Sequence, residues 1–499
     1  VLGSSELTVN GTVIVHKTLT TEASSTLTIP ATNVLNLSPT CQATIPGTLN
    51  NVAGTAGLVV SSDATGTGSL ILNTAGVAGT VQRFISHWTD DNHGWHLLSS
   101  PVSGQAVQPE FVPSTPDNTQ DFYAWDEVNG WWFNSKDPSM QWVSGFDASF
   151  AAGKGYLVAY KTDMTKNFTG TALNVSNVPK SGLTYTNPGN YSGTSIDPGW
   201  NLLGNPFSSA ITWNTAGWGL TNLATTAKVW NESNASYADL DVAGMIIPPH
   251  QGFMVQVLDA SGGSLTIPAA ARVHSSQSWY KSSDLPLIRL MAHNISAQTA
   301  QESTVIFDSQ AKPGFDPSAD SRFFPGYAPL FYSVEGTEKL STNVLPGIDA
   351  QAVIPFSFVK TAGTAYSIEA VKIENIPSTV YLTDLKLDKT QNLNENPLYT
   401  FTSGAGDNPA RFVLTFSQTG IGEKTAGGRE IYTYGNNLYV ANPGNSRIEV
   451  FNLTGQLLLN EQVNCTGLYK TSLSLPTGYY MVRLTSATGV LITKVFIQS

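Results

Sequence analysis

The sequence predicts an all-β protein, a short β-solenoid followed by several β-sandwich-like modules. Apolar residues recur at every second position in short runs, the pattern of strands with one buried face. Gly, Asn, Ser and Thr break these runs at regular intervals. No stretch carries the 3.6-residue period of a long amphipathic helix. Composition agrees. Of 499 residues, 41% are hydrophobic and only 12% charged, about half the usual ~25%. Neutral polar side chains fill the difference, as in extracellular β-proteins. The net charge is −11 and no Lys/Arg cluster stands out, which argues against nucleic acid and anionic membrane surfaces as partners. No run of ~18 apolar residues is present, so no transmembrane helix is expected. Cys41 and Cys465 fall in segments assigned to different modules and read as two thiols; the count excludes a disulfide framework. The chain begins Val1-Leu2-Gly3 without a charged leader, and the expectation is a signal peptide removed or left out.

Residues 1–83 contain no aromatic residue, and their only charges are Glu6, Lys17, Glu22, Asp63 and Arg83. Leu7-x-Val9, Val13-x-Val15, Leu27-x-Ile29, Leu35-x-Leu37, Leu58-Val59-Val60 and Leu70-Ile71-Leu72 recur, separated by Gly, Asn, Ser and Thr. Short strands with small side chains suit stacked coils around a narrow interior. A β-solenoid of roughly four rungs is expected.

Residues 84–178 and 179–275 read as two copies of one β-module. Gly94-Trp95-His96-Leu97-Leu98 matches Gly199-Trp200-Asn201-Leu202-Leu203. Trp125-Asp126-Glu127 matches Trp230-Asn231-Glu232 at the same offset, and Gly155-Tyr156-Leu157-Val158 matches Gly252-Phe253-Met254-Val255 after a short deletion. Trp95 and Trp200 are expected in equivalent buried positions. Residues 276–420 hold about nine further strand candidates with regular turns, the signature of a β-sandwich. Residues 421–499 form a last small sandwich of about seven short strands, beyond the linker 420–424.

That last segment carries Leu453-Thr454-Gly455-Gln456, then Leu475-Pro476-Thr477-Gly478-Tyr479-Tyr480-Met481-Val482, then Lys494-Val495-Phe496-Ile497. It resembles the C-terminal sorting domain of the type IX (Por) secretion system. The resemblance implies that Gly455, Gly478, Tyr480, Lys494 and Val495 belong to the sorting signal and that the type IX machinery is a partner. It implies delivery across the outer membrane of a Gram-negative bacterium, to the surface or the medium. The Gly-Trp-x-Leu-Leu duplication is similar to repeats of large, adhesin-like surface cargo of that pathway. Residues 276–420, through Lys339-Leu340-Ser341, Tyr381-Leu382-Thr383-Asp384, Tyr399-x-Phe401 and Arg411-Phe412, resemble the domain that often precedes such sorting modules.

Candidate chemistry is sparse. His87, His93 and His96, with Asp90 and Asp91 between them, could converge on a metal, but His96 aligns with Asn201, which favours a structural role. Asp308, Asp316 and Asp320 are candidates for a calcium loop, or for turn caps and a pair with Arg322; calcium is the only cofactor the sequence leaves room for. Asp239/Asp241 and Asp121/Asp126/Glu127 could be facing carboxylates for glycoside hydrolysis, yet Asn231 replaces Asp126 in the second copy. The aromatic cluster Tyr123, Trp125, Trp131, Trp132, Phe133 and Trp142 is the best ligand candidate, the alternative being packing between the copies. Strand alternation sends Trp131 and Trp132 to opposite faces. Trp131 with Phe133 is expected to face the core, and Trp132 solvent, with Trp142 as companion. No nucleophile elbow, zinc-protease, phosphate-loop or dinucleotide motif occurs.

The reading is a secreted or surface-anchored non-enzymatic protein for adhesion or extracellular binding of a glycan or protein. The alternatives are a carbohydrate-active enzyme using the solenoid, and a structural stalk for a missing N-terminal domain.

Overall fold

The computed structural model describes residues 6–102, 104–115, 117–136, 148–187, 198–241, 244–275, 285–348, 353–418, 430–434, 436–441, 443–452, 454–465, 468–487 and 489–497. Trp142 and the linker 420–424 lie outside these residues. Among the described residues the chain has strands and two 3-10 turns but no α-helix. It divides into two compact units, one of residues 1–284, 297–301 and 317–328, the other of 285–296, 302–316 and 329–499.

The first unit opens with the solenoid. Glu6–Thr8, Thr26–Ile29 and Thr48–Asn51 stack in parallel on one side. Thr12–Val15, Val34–Leu37 and Leu58–Val60 do so on the second, and Thr18–Thr20, Gln42–Ile45 and Ser69–Leu72 on the third. That makes about three turns rather than four: the fourth rung is the single strand Gly79–Ile85. The inward residues Leu27, Leu35, Ala43, Leu49, Leu58 and Leu70 are all at most 2% exposed. Small aliphatic side chains are what so narrow an interior admits. Gly79–Ile85 then pairs antiparallel with Met164–Gly170, which ends the parallel stack. The expected 83/84 division falls inside this strand, and one hydrophobic core runs on from Val9 to Leu173.

Two four-stranded antiparallel sheets follow. In the first, His96–Leu98, Tyr156–Tyr160, Gln120–Asp126 and Trp131–Asn134 lie side by side in that order; in the second, Trp200–Gly204, Gly252–Val257, Leu223–Asn231 and Ser236–Leu240. The registers match as well as the order. Leu97 opposes Leu157 as Leu202 opposes Met254. Tyr123 opposes Leu157 as Lys228 opposes Met254. Trp125 opposes Trp132 as Trp230 opposes Tyr237.

The two sheets meet at a seam whose contacts are reciprocal, as across a two-fold axis. Leu98 bridges Gln251, and Leu203 bridges Lys154. Ser99 N donates to His250 O (2.8 Å), and Gly204 N to Gly153 O (3.1 Å). This explains the glycine of the Gly-aromatic-x-Val motif. A Cβ on Gly155 would sit 2.4 Å from Leu203 O, and one on Gly252 2.9 Å from Leu97 Cβ. Each copy's strand passes too close to the other's backbone for a side chain there. The copies differ at their tryptophans. Trp200 starts its strand and is 1% exposed, whereas Trp95 precedes its strand and is only partly buried, so the expected equivalence of burial fails.

In the second unit one strand path runs Lys389–Asn392, Ser378–Asp384, Ala410–Gln418, Val353–Val359, Leu330–Glu335, Glu338–Leu345, Thr299–Phe307, Leu287–Asn294, Ala365–Glu374, Leu398–Thr402. It includes one parallel pair, Thr304 with Thr342. Strands from both ends of the path feed a single core, including Val380, Leu382, Phe356, Ile288, Ile368 and Phe401, so the sheet curls over that core. The C-terminal module has two sheets, Glu430–Tyr434/Asn437–Ala441/Leu468–Ser472 and Leu457–Cys465/Gly444–Phe451/Gly478–Ser486/Gly489–Ile497. They share a core of Ile431, Leu438, Val450, Val463, Val482 and Ile497.

Candidate functional site

Aromatic residues of both copies converge on the seam. Leu97, Leu157, Trp200, Leu202, Trp230, Tyr237, Met254 and Phe324 form its buried core, and Trp95, Tyr123, Trp125 and Trp132 pack against it while keeping partial access to solvent. Trp125 Nε1 donates to Trp200 O at 2.5 Å. The Trp125 ring meets Phe324 edge-on at 6.1 Å. Because Trp125 turns inward, Trp132, directly opposite it in register, turns inward too, with ring centroids 5.2 Å apart. Trp132 is thus not the solvent-facing residue expected, and Phe133, opposite the buried Ala124, shares the face of Phe122 and Ala124. Trp132 is on the seam side and partly buried, while Trp131 and Phe133 meet each other (6.2 Å) on the other face, also partly buried. Alternation assigned the pairs, and the face it left to solvent is covered where Trp125 lies against Trp132.

Phe324 and Tyr327 were invisible to sequence reasoning. They belong to residues 317–328, which lie more than forty positions beyond the second copy yet fold onto it. Gly326 permits the approach: a Cβ there would lie 2.8 Å from Ala235 O. The crowded run Phe323-Phe324-Pro325-Gly326-Tyr327 was the available signal.

The charged candidates are occupied separately. His87 Nδ1 is 2.7 Å from Asp163, His93 Nδ1 2.9 Å from Asp90, and His96 Nδ1 2.6 Å from Glu232. Three histidines thus meet three different carboxylates instead of one ion. Burial works against the Glu232 carboxylate, but the His96 hydrogen bond and the nearby Arg83 charge hold its pKa below the usual range. Its counterpart in the first copy, Glu127, accepts from Thr186 N (2.8 Å) and Gly199 N (2.9 Å) of the second. Asp126 accepts from Val128 N (3.0 Å) and Asn129 Nδ2 (2.7 Å), and Asp121 pairs with Lys136 at 2.7 Å. Asp239 pairs with the buried Lys228, which also donates to Ser321 Oγ at 3.0 Å and lies 5.2 Å from the Trp200 ring centroid. Burial lowers the Lys228 pKa against the pull of Asp239.

The calcium candidates do not converge. Asp308 accepts from Gln310 N at 2.9 Å, Asp316 pairs with Lys312 at 3.2 Å, and Asp320 is 1% exposed. Among the described residues no three His, Cys, Asp or Glu side chains form a group that could hold a metal ion. Asp308 precedes one turn, while Asp316 and Asp320 flank another.

In the second unit Arg411 is buried with Asp384. Its Nε and Nη2 donate to the two carboxylate oxygens at 3.0 and 2.7 Å, and Nη1 to Thr402 O at 2.9 Å. Tyr399 donates to Asp384 Oδ2 at 3.0 Å, and the guanidinium lies 4.5 Å from the Phe401 ring centroid. In the C-terminal module Gly455 takes φ +84 in a turn closed by Asn452, whose Oδ1 accepts from Thr454 N (3.1 Å) and Gln456 N (2.9 Å). Gly478 opens a strand, Tyr480 is buried and donates to Pro476 O at 2.7 Å, and Val495 is in the core. Lys494 is exposed, its Nζ 4.0 Å from the Tyr479 ring centroid.

Residues 435–498 match the secretion system C-terminal sorting domain, which makes the chain cargo of the type IX pathway, bound for the cell surface or extracellular space. Residues 3–243 and 216–416 match a family described as Domain of unknown function (DUF8693). No curated protein matches. A solved structure similar to the chain is described as "Biofilm associated protein - BSP domain", at 9% identity, covering 85% of this chain and 96% of that one, with a TM-score of 0.20. No helix among the described residues is long and apolar enough to cross a membrane.

Proposed function

The chain belongs to the family described as Domain of unknown function (DUF8693); as that description names no activity, we propose from the site itself that the protein is a non-enzymatic adhesion or extracellular-binding protein displayed on a Gram-negative cell. The observation that carries this is the aromatic seam. Its core rings are buried, but Trp95, Tyr123, Trp125 and Trp132 stay partly open. Rigid, half-exposed aromatics are the side chains that hold partners at low entropic cost. The carboxylates that glycoside cleavage would need are committed elsewhere: Asp239 to Lys228, Asp121 to Lys136, and Asp126 to its own turn. Those ties favour binding over turnover.

The test is saturable binding by the purified chain to arrayed glycans and to immobilised extracellular proteins, together with surface adhesion of cells lacking the gene. Binding that heat-unfolded protein lacks, and an adhesion defect restored by complementation, are expected. Neither binding nor a defect, or release of sugar from a bound glycan, would end this reading.

A further inference from the structure

Tyr327 is 41% exposed. Its ring lies nearly parallel to that of Trp95, at 21° with centroids 6.2 Å apart, and the edge of Trp230 supports it at 6.1 Å and 87°. Trp95 is braced edge-on by Tyr123 at 5.8 Å and 64°, and its Nε1 donates to Asp91 O at 3.2 Å. The rings are therefore fixed before any ligand arrives, which lowers the entropic cost of binding.

Polar groups surround them. The Tyr123 hydroxyl accepts from Asn134 Nδ2 at 3.0 Å and keeps its own proton to donate. Burial, then the charge of Asp121 and the nearby Tyr327, push its pKa up to about 12. Burial, then Asp121 and Asp91, raise the Tyr327 pKa as well, so both carboxylates lie within electrostatic reach of its hydroxyl. Asp91 is exposed, and Asp121 is held by Lys136 with its side chain 26% accessible.

Flat rings edged by hydroxyls and carboxylates match the chemistry of a sugar. The axial C–H face packs on the aromatic surface, and the hydroxyls donate to carboxylate oxygens. The charge decides among sugars: two carboxylates against one lysine leave a net negative charge, which repels an acidic ligand. We propose that Trp95, Tyr327 and Tyr123 form a stacking platform for a neutral pyranose of an extracellular glycan, with Asp91 and Asp121 accepting hydrogen bonds from its hydroxyls. This rests on the binding function proposed above and supplies its ligand class.

The experiment is a glycan array with the full chain, followed by calorimetry on the best neutral hit. Tyr327→Ala is expected to lose at least about tenfold in affinity, the scale of deleting one aromatic anchor, with a melting temperature lowered no more than that of Tyr327→Leu, which restores apolar packing but not the flat ring and is expected to bind as poorly. Tyr327→Phe keeps the stacking surface and is expected to lose less. Asp121→Asn is expected to weaken neutral glycans and to relax the rejection of uronic or sulfated ones. Equal affinity of Tyr327→Ala and wild type, or a preference of the wild type for acidic glycans, overturns the platform. If no glycan binds but adhesion through a protein partner persists, the platform is wrong and the functional reading stands.

Discussion

His250 and Gly153 occupy equivalent places in the two copies, each accepting the seam hydrogen bond described above. The backbone is left-handed at both, φ +58 and +70. Glycine adopts this freely, while a histidine there costs about 1 kcal/mol or more. The His250 ring is fully buried, and neither nitrogen has a hydrogen-bond partner among the described residues. Burial, then the Arg83 charge, lower its pKa from 6.5 to about 3. The unfolded chain therefore takes up a proton below pH 6.5 that the folded chain refuses until about pH 3. Stability contributed by neutral His250 is full above that window and declines as pH falls through it. His250→Gln is expected to flatten this dependence. Urea midpoints at pH 4 to 7, followed by tryptophan fluorescence, check it; parallel curves for variant and wild type would assign the slope to other groups. Fluorescence reports on the right unit, because ten of the eleven tryptophans lie between Trp88 and Trp230. In the second unit, Arg411→Met strands a fully buried Asp384 and is expected to cost about 3–5 kcal/mol. The double variant with Asp384→Asn should recover part of that loss, measured by calorimetric unfolding. Asp384, Tyr399, Phe401 and Arg411 stood out in the sequence only as separate fragments. Their bond lengths join strands that are neighbours in space but not in order, which no local pattern encodes.

At the level of elements, alternation revealed which side chains share a face, and the duplicated motifs revealed which strands are equivalent. Parity alone could not say which face is inside. Trp132 faces the seam because Trp125 does, and Trp125 does because Trp200 O and Phe324 await it from distant parts of the chain. Trp132→Ala is accordingly expected to destabilise the first unit by about 2 kcal/mol or more, below the 3–5 kcal/mol of a fully buried indole because the ring is only partly covered. An unchanged melting temperature would return Trp132 to the solvent side. The glycines give a graded test of the seam. The Cβ of Gly155→Ala would meet a backbone carbonyl at 2.4 Å, whereas that of Gly252→Ala would meet a side-chain carbon at 2.9 Å. Neither atom can swing aside, since a Cβ is fixed by its own backbone, but the overlap at 2.4 Å is the deeper. Both variants should destabilise, by about 1–3 kcal/mol, with Gly155→Ala the worse. The reverse order in chemical denaturation would contradict the reciprocal packing.

At the level of the whole molecule, composition and periodicity disclosed an all-β chain and the C-terminal motifs disclosed its address. The chain's return across segments was hidden: residues 317–328 follow the start of the third segment in sequence but complete the first unit in space, so contiguous boundaries could not place Tyr327. The C-terminal module is a different case, for its hydrophobic cluster is drawn wholly from residues 431–497, while the other clusters contain none of these residues. Removing 491–499 takes away most of the edge strand Gly489–Ile497, with the core residues Val495 and Ile497. The module should then fail to fold while residues before 419 keep their cores. The expected result is cargo that is folded by tryptophan fluorescence but absent from the surface by immunoblot of intact cells. Lys494→Gln separates folding from recognition, since Lys494 is exposed on the face opposite Val495. If Lys494 is read by the export machinery, this variant should fold normally and still reach the surface poorly. Normal delivery of Lys494→Gln would confine the signal to the module's fold, and normal delivery of the truncated chain would remove the sorting role altogether.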